Sequence, residues 1–175
     1  MAQNMGTTFL IGYMGSGKTT YGRLIAKEQK ISFVDLDFVI EEKYSKDIAS
    51  LFNEMGESAF RKLERETLHE IAYLKNTLIA TGGGTPCFFD NMEFMNKMGD
   101  TIYLRTSVRE LRDRLKMSRA KRPLLNQQTN QEFESYIAKM LEEREIYYMK
   151  AKFILDTDDL NPNNLISSYH ALHEV

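Results

Sequence analysis

Five short runs of the chain are apolar, with Ser32 the one polar residue among them, rather than regularly alternating: Phe9–Ile11, Ile31–Val34, Leu78–Ala80, Ile102–Leu104 and Phe153–Leu155. Between them apolar residues return at helical spacing, most clearly over 57–75, where Phe60, Leu63, Thr67, Leu68, Ile71 and Ala72 mark one face. Strands read as continuous apolar runs when both of their faces are covered, and strands separated by helices pair in parallel through crossovers. The pattern therefore predicts an α/β fold, a parallel sheet with helices on both faces and a ligand site outside the carboxyl ends of the strands. Capping signals mark three later helix starts: Asp90 with Glu93, Ser107 with Glu110, and Thr129 with Glu132.

Composition narrows the picture. With 175 residues, 42% of them hydrophobic, the chain suits one domain over 1–175 that buries a core without disulfides or a structural metal. A formal charge of −2 offers no bulk attraction to nucleic acid or to an anionic membrane surface. No apolar run approaches bilayer length, the N-terminus has no charged-then-apolar signal pattern, and a single cysteine excludes an internal disulfide. Small-molecule partners, no nucleic acid, no membrane, a monomer and a cytoplasmic location are the expectations that follow.

The chemistry centres on Gly12-Tyr13-Met14-Gly15-Ser16-Gly17-Lys18-Thr19, which fits G-x-x-x-x-G-K-[ST] directly after the first apolar run and before an amphipathic stretch marked by Tyr21, Leu24 and Ile25. Such a loop turns successive N–H groups inward at a helix N-terminus, where they cradle phosphate oxygens. Lys18 would reach the β- and γ-phosphates of a nucleoside triphosphate and the Thr19 hydroxyl would ligate Mg²⁺.

Three strand ends carry further candidates. The second strand runs into Asp35-Leu36-Asp37, two carboxylates that leave an extended backbone on the same side, one suited to Mg²⁺ and one to a substrate hydroxyl. Asp37 could instead simply cap the next helix. The third strand ends in Thr81-Gly82-Gly83-Gly84-Thr85-Pro86, and three consecutive glycines suggest backbone that must approach a ligand closely. The segment 117–131 is basic around Arg119, Lys121 and Arg122, then polar, which suits a lid over phosphates, with Arg122 stabilising the transferred group. Arg61 and Arg144 fit either helix-surface ion pairs or a bidentate grip on a substrate carboxylate. His69, His170, His173 and Cys87 lack partners at metal-ligand or nucleophile spacing and receive no function.

The ordered set Gly12–Thr20, Asp35-Leu36-Asp37, Phe60-Arg61-Lys62-Leu63-Glu64, Thr81–Gly84, Arg122-Pro123-Leu124-Leu125 and Arg144-x-x-x-Tyr148 resembles the shikimate kinases over essentially the whole chain. The resemblance implies a three-layer P-loop fold like that of the nucleoside monophosphate kinases, sheet order 2-3-1-4-5, with an acceptor-binding region at about 35–62 and a lid at about 117–131. It implies ATP-dependent phosphorylation of the 3-hydroxyl of shikimate, on the way to chorismate and the aromatic amino acids. A kinase for another small polyol acid such as gluconate, and a non-catalytic ATP-binding module, are the competing readings. By the same resemblance Gly15, Ser16, Gly17, Lys18, Thr19 and Thr20 would hold ATP, and Thr19 and Asp35 the Mg²⁺, Asp35 through water. Asp37 would orient or deprotonate the attacking hydroxyl. Arg61 and Arg144 would grip the shikimate carboxylate, Gly82, Gly83 and Gly84 would line the acceptor site, and Phe52 and Phe60 would wall it. Arg119, Arg122, Asn161 and Pro162 would meet the nucleotide. Where an arginine often precedes that last pair in the family, this chain has Leu160.

Overall fold

The computed structural model describes residues 6–119 and 130–172, without the side chains of Ser118, Arg119 and Asn130. Arg122, the Arg119 side chain, the Thr129 cap and most of the expected lid lie outside the described residues. The strands are β1 (Thr7–Ile11), β2 (Ser32–Asp35), β3 (Thr77–Ala80), β4 (Gly99–Arg105) and β5 (Phe153–Asp156). They form one all-parallel sheet of order β2-β3-β1-β4-β5. The helices are α1 (Lys18–Gln29), α2 (Leu36–Tyr44), α3 (Ile48–Ile71), α4 (Asn91–Met98), α5 (Val108–Arg119), α6 (Asn130–Tyr148) and α7 (Leu165–Ala171), with a 3₁₀ turn over Thr85–Cys87.

Central β1 is buried along its whole length, which is why its sequence shows no alternation. Its successive side chains enter two separate cores. Phe9 and Ile11 join Ile79 and Tyr103 beneath α2, α3 and α6, while Leu10 joins Leu78, Ile102 and Leu104 beneath α1 and α7. Fully burying each of these side chains contributes about 1.5–3 kcal/mol, so the two layers hold the sheet rigid under the loops at its carboxyl edge.

The helical face expected over 57–75 belongs to a longer helix. α3 starts at Ile48, where the Asp47 carboxylate caps it by accepting from Ser50 N at 2.7 Å, and it bends at Gly56 (φ 77°) before ending at Ile71. Of the expected caps, Ser107 Oγ accepts from Glu110 N at 3.3 Å. Asp90 precedes α4 but its side chain makes no capping bond; it turns to Arg65 instead, 2.7 Å away. A full charge on Arg65 competes better for that carboxylate than a backbone amide does. No helix among the described residues is long and apolar enough to cross a membrane.

Candidate active site

The loop between β1 and α1 reverses the chain at three glycines whose φ lies in the left-handed region: Gly12 (144°), Gly15 (82°) and Gly17 (97°). Only a residue without Cβ adopts these angles freely, and the conformation brings the chain back over the start of α1. Gly17 is the N-cap of α1 and supplies no side-chain bond, so the first-turn amides stay open toward the cleft. Lys18, buried, folds back so that Nζ donates to Gly12 O at 2.7 Å and Tyr13 O at 2.8 Å. Burial lowers its pKa to about 8, against the opposing pull of Asp37 and Asp35. Ser16 Oγ is buried with no hydrogen-bond partner.

Thr19 Oγ1 donates to Asp35 Oδ2 at 2.7 Å, placing a hydroxyl and a carboxylate side by side at the mouth of the loop. Asp37 is not on extended backbone as the spacing suggested. β2 ends at Asp35, which caps α2 by accepting from Asp37 N at 3.1 Å, and Asp37 is already in the first helical turn. The helix start turns both carboxylates toward the same cleft, so the cap and the cleft-facing acid are different residues. Burial pushes Asp37 up to about 6, aided by the negative charges of Asp35 and Glu64.

A cleft of about 600 Å³ joins these groups, lined by Met14, Gly15, Gly17, Lys18, Thr19, Thr20, Asp35, Asp37, Thr81 and Gly83, with Tyr21 and Arg114 at one end. Asn161 and Pro162 are not among its lining residues. They sit in a turn where Asn161 N donates to Asn164 Oδ1, next to Leu160, whose carbonyl accepts from Tyr21 OH at 3.3 Å.

Beyond Asp37, Arg61 leaves the surface where an ordinary α3 ion pair would stand. Nη1 donates to the buried Glu64 at 2.8 Å, and the guanidinium lies 5.7 Å from the ring of Phe52, 5.4 Å from Phe60 and 4.3 Å from Phe88. Its Nε is buried and unpartnered. Glu64 also accepts from Thr85 Oγ1 at 2.6 Å, which ties α3 to the triple-glycine loop. None of Gly82, Gly83 and Gly84 has positive φ, so their need for glycine is one of space. A Cβ on Gly82 would lie 2.8 Å from Glu64 Oε1 and 2.9 Å from Asp37 Oδ1; one on Gly83, 3.2 Å from Met14 N; one on Gly84, 2.6 Å from Arg61 Nη2. Arg144, half-buried on α6, stacks its guanidinium 5.4 Å over the Tyr13 ring, and Tyr148 one turn later donates to Gly83 O.

Phe88 and Arg114 lie outside every sequence motif, and Glu64, quoted in the motif around Arg61, received no role of its own. Arg114 pairs with Glu110 at 2.9 Å, the usual helix-surface pattern, yet also donates to Ser16 O at 3.3 Å and Thr157 O at 3.1 Å. It thereby braces the phosphate loop against the exit of β5. Cys87 is half-buried and burial raises its thiol to about 11, which leaves it a poor nucleophile. His69 lies flat on Phe94 with ring centroids 3.7 Å apart. No group of three or more metal-ligating side chains occurs among the described residues.

A glycine loop with a folded-back lysine, set at the switch point of a 2-3-1-4-5 parallel sheet and sharing one cleft with two carboxylates, defines the P-loop kinase fold. The family model described as shikimate kinase matches residues 14–172, and the chain belongs to that family. It is 49% identical over 156 residues, 89% of this chain and 90% of the relative, to the shikimate kinase of Parabacteroides distasonis. The crystal structure of shikimate kinase from Bacteroides thetaiotaomicron superposes with a TM-score of 0.89 at 39% identity, covering 98% of this chain and 99% of that one. The Acinetobacter baumannii shikimate kinase in complex with shikimate gives a TM-score of 0.85 at 32% identity, covering 97% and 93% of the two chains.

Proposed function

We propose that this chain transfers the γ-phosphoryl group of ATP to the 3-hydroxyl of shikimate, giving shikimate 3-phosphate and ADP. The observation that carries the reading is the single cleft that has Lys18 and the Thr19–Asp35 pair on one wall and Asp37 on the other, with Arg61 behind it. The open amides at the start of α1 and the unpartnered Ser16 hydroxyl suit a polyphosphate, with Gly15, Gly17 and Thr20 beside them. Thr19 and Asp35 offer hard oxygen ligands, Asp35 through water, for Mg²⁺, which when bound neutralises phosphate charge and aligns the transfer.

Lys18 exchanges its two carbonyl partners for phosphate oxygens, so the charge that burial disfavours is met by an anion. Asp37, close to half-protonated near pH 6, accepts the proton of the attacking hydroxyl and orients its oxygen for in-line attack. Arg61, pre-held by Glu64 and by aromatic rings, presents its free Nε–H to the acceptor carboxylate, and Arg144 meets the same group from the facing helix. Gly82, Gly83 and Gly84 line the ring hydroxyls between the walls of Phe52 and Phe60. On the family resemblance alone, Arg122 and Arg119 are assigned to the charge of the transferred group and to the nucleotide base, and Asn161 and Pro162, which do not line the cleft, to the outer edge of the base. We assign this activity to one domain acting as a monomer in the cytoplasm.

ADP release from Mg-ATP, followed with shikimate, gluconate or a nucleoside monophosphate as acceptor, tests the reading. Turnover stimulated by shikimate alone is expected. ATP binding that no acceptor converts to turnover would leave a nucleotide-binding module instead, and stimulation by gluconate would reassign the acceptor.

A further inference from the structure

The two arginines of the acceptor site are held by different means. Arg61 has a carboxylate, Glu64, at 2.8 Å. No carboxylate pairs with Arg144 among the described residues; it hydrogen-bonds the Tyr148 hydroxyl and lies over a ring, Tyr13, 5.4 Å from its guanidinium carbon. Tyr13 occupies a position that the phosphate-loop pattern leaves free, so the pattern gives no reason for an aromatic residue there. A leucine would satisfy burial at a site only 3% exposed, but it offers no negative ring face to a cation.

We propose that Tyr13 is the positioning residue for Arg144, holding its guanidinium over the acceptor end of the cleft from within the phosphate-binding loop. The inference rests on the reading of Arg144 as a partner of the acceptor carboxylate. Three contacts fix the ring and its load. Tyr13 is part of the buried cluster that includes Phe133, Ile137 and Tyr148 of α6, so ring and helix share one core. Tyr148, on the same face of α6 as Arg144, packs 5.1 Å from Tyr103 and donates to Gly83 O, which pins the end of the helix. Gly83 in turn rests on the loop itself, where a Cβ would come within 3.2 Å of Met14 N and 3.6 Å of Tyr13 C. Tyr13 O also accepts from Lys18 Nζ at 2.8 Å, so one residue touches the cations that serve both reactants. A carboxylate in place of the ring would hold Arg144 equally well but would compete with the acceptor for its donors; a ring face takes up none of the N–H groups at the guanidinium edge.

The test separates ring electronics from shape. Tyr13→Phe, followed by the same position carrying progressively fluorinated phenylalanines, keeps the volume and withdraws charge from the ring face. The shikimate KM is expected to stay within about two-fold for phenylalanine and to rise stepwise with fluorine number, reaching about ten-fold for the fully fluorinated ring and for Tyr13→Leu. Across the fluorinated series, which keeps the ring volume, the Kd for ATP and the Tm are expected to move little; Tyr13→Leu is expected to lower Tm as well, because it removes buried ring volume. In a Tyr13→Leu/Arg144→Ala double variant the KM is expected to be no higher than in Arg144→Ala alone. A KM indifferent to fluorination, or additive losses in the double variant when Arg144→Ala alone raises KM, would overturn the role of Tyr13 and leave the reading of Arg144 standing. An unchanged KM in Arg144→Ala would remove that reading, and the role of Tyr13 with it.

Discussion

Arg61 Nη1 and Glu64 Oε2 meet at 2.8 Å across one turn of α3, with Glu64 1% exposed and its second oxygen taken by Thr85 Oγ1. The pair gives a residue at helix-surface spacing a buried anchor, as the proposed grip on the acceptor carboxylate requires. Glu64→Ala would strand the guanidinium in its collar of Phe52, Phe60 and Phe88 and release Thr85. Removing one partner of a buried pair costs about 3–5 kcal/mol, so thermal unfolding is expected to fall by roughly 8–15 °C. The shikimate KM is expected to rise at least about ten-fold as Arg61 loses its direction, with the ATP Kd within about two-fold. Steady-state kinetics on the folded variant decides: a lower Tm with an unmoved KM would make Glu64 a structural residue only.

Asp37 is expected to trade stability for chemistry. Its folded pKa of about 6 lies above the 3.8 of an unperturbed aspartate, so keeping it ionised opposes folding. That cost is fully present above about pH 6 and absent once pH falls below about 4, where both states are protonated. Asp37→Asn copies the neutral form. It is expected to abolish phosphoryl transfer with ATP binding largely intact, and to stabilise the protein at pH 7.5 by about 1–3 kcal/mol, a gain that vanishes near pH 4. Paired melting curves at the two pH values test the sign. A variant that turns over shikimate normally would remove Asp37 from the mechanism.

The same groups predict a bell-shaped pH profile for kcat/KM. The acid limb belongs to Asp37 and centres near 6; the alkaline limb belongs to Lys18, which burial brings to about 8 in the ligand-free protein. Phosphate contact favours the charged lysine, so the alkaline limb of kcat is expected to lie at higher pH than that of kcat/KM. Lys18→Arg, lower in activity, is expected to lose the alkaline limb because a guanidinium stays protonated. Rates between pH 5 and 9.5 suffice, and a profile flat from 5 to 7 would show that no group titrating near 6 is required.

How much of this was legible before the fold depended on whether a residue's role was local. The three glycines of the phosphate loop and Lys18 act within one turn, and the pattern showed them; the strands showed because β1 is buried on both faces and so carries no alternation. Arg61 stayed ambiguous between surface and site because Glu57 and Glu64 at i−4 and i+3 are what any exposed helix offers; only burial of Glu64 distinguishes the two. Phe88 and Arg114 were missed because their partners are remote: Phe88 meets Arg61, and Arg114 reaches Ser16 and Thr157. Asp37 was assigned to the right cleft on the wrong backbone, since a helix beginning one residue earlier leaves its sequence spacing from Asp35 unchanged.

Two glycines on either side of Arg61 give opposite expectations for the shikimate KM and so test what the triple-glycine loop is for. Gly84 has φ −91° and ψ −19°, a conformation alanine adopts without strain. The three atoms nearest to where its Cβ would stand all belong to the Arg61 guanidinium, 2.6–2.9 Å away. Arg61 cannot simply step aside, because Phe88 lies 4.3 Å from it and Glu64 holds it at 2.8 Å. Gly84→Ala is therefore expected to lower Tm, because crowding that pushes the guanidinium off Glu64 outweighs the gain of about 0.4–1 kcal/mol from a less free unfolded chain. The shikimate KM is expected to rise about ten-fold or more as the guanidinium is displaced. Gly56 has the reverse character: φ is 77° and nothing lies within 4 Å of an added Cβ. Gly56→Ala is expected to cost about 1–3 kcal/mol of stability through the backbone alone, since φ 77° with ψ 167° is a conformation essentially confined to glycine, with shikimate KM unchanged. Measuring Tm and KM for both variants separates the two demands: a Gly84→Ala enzyme with normal KM would mean that Arg61 has room the packing does not suggest.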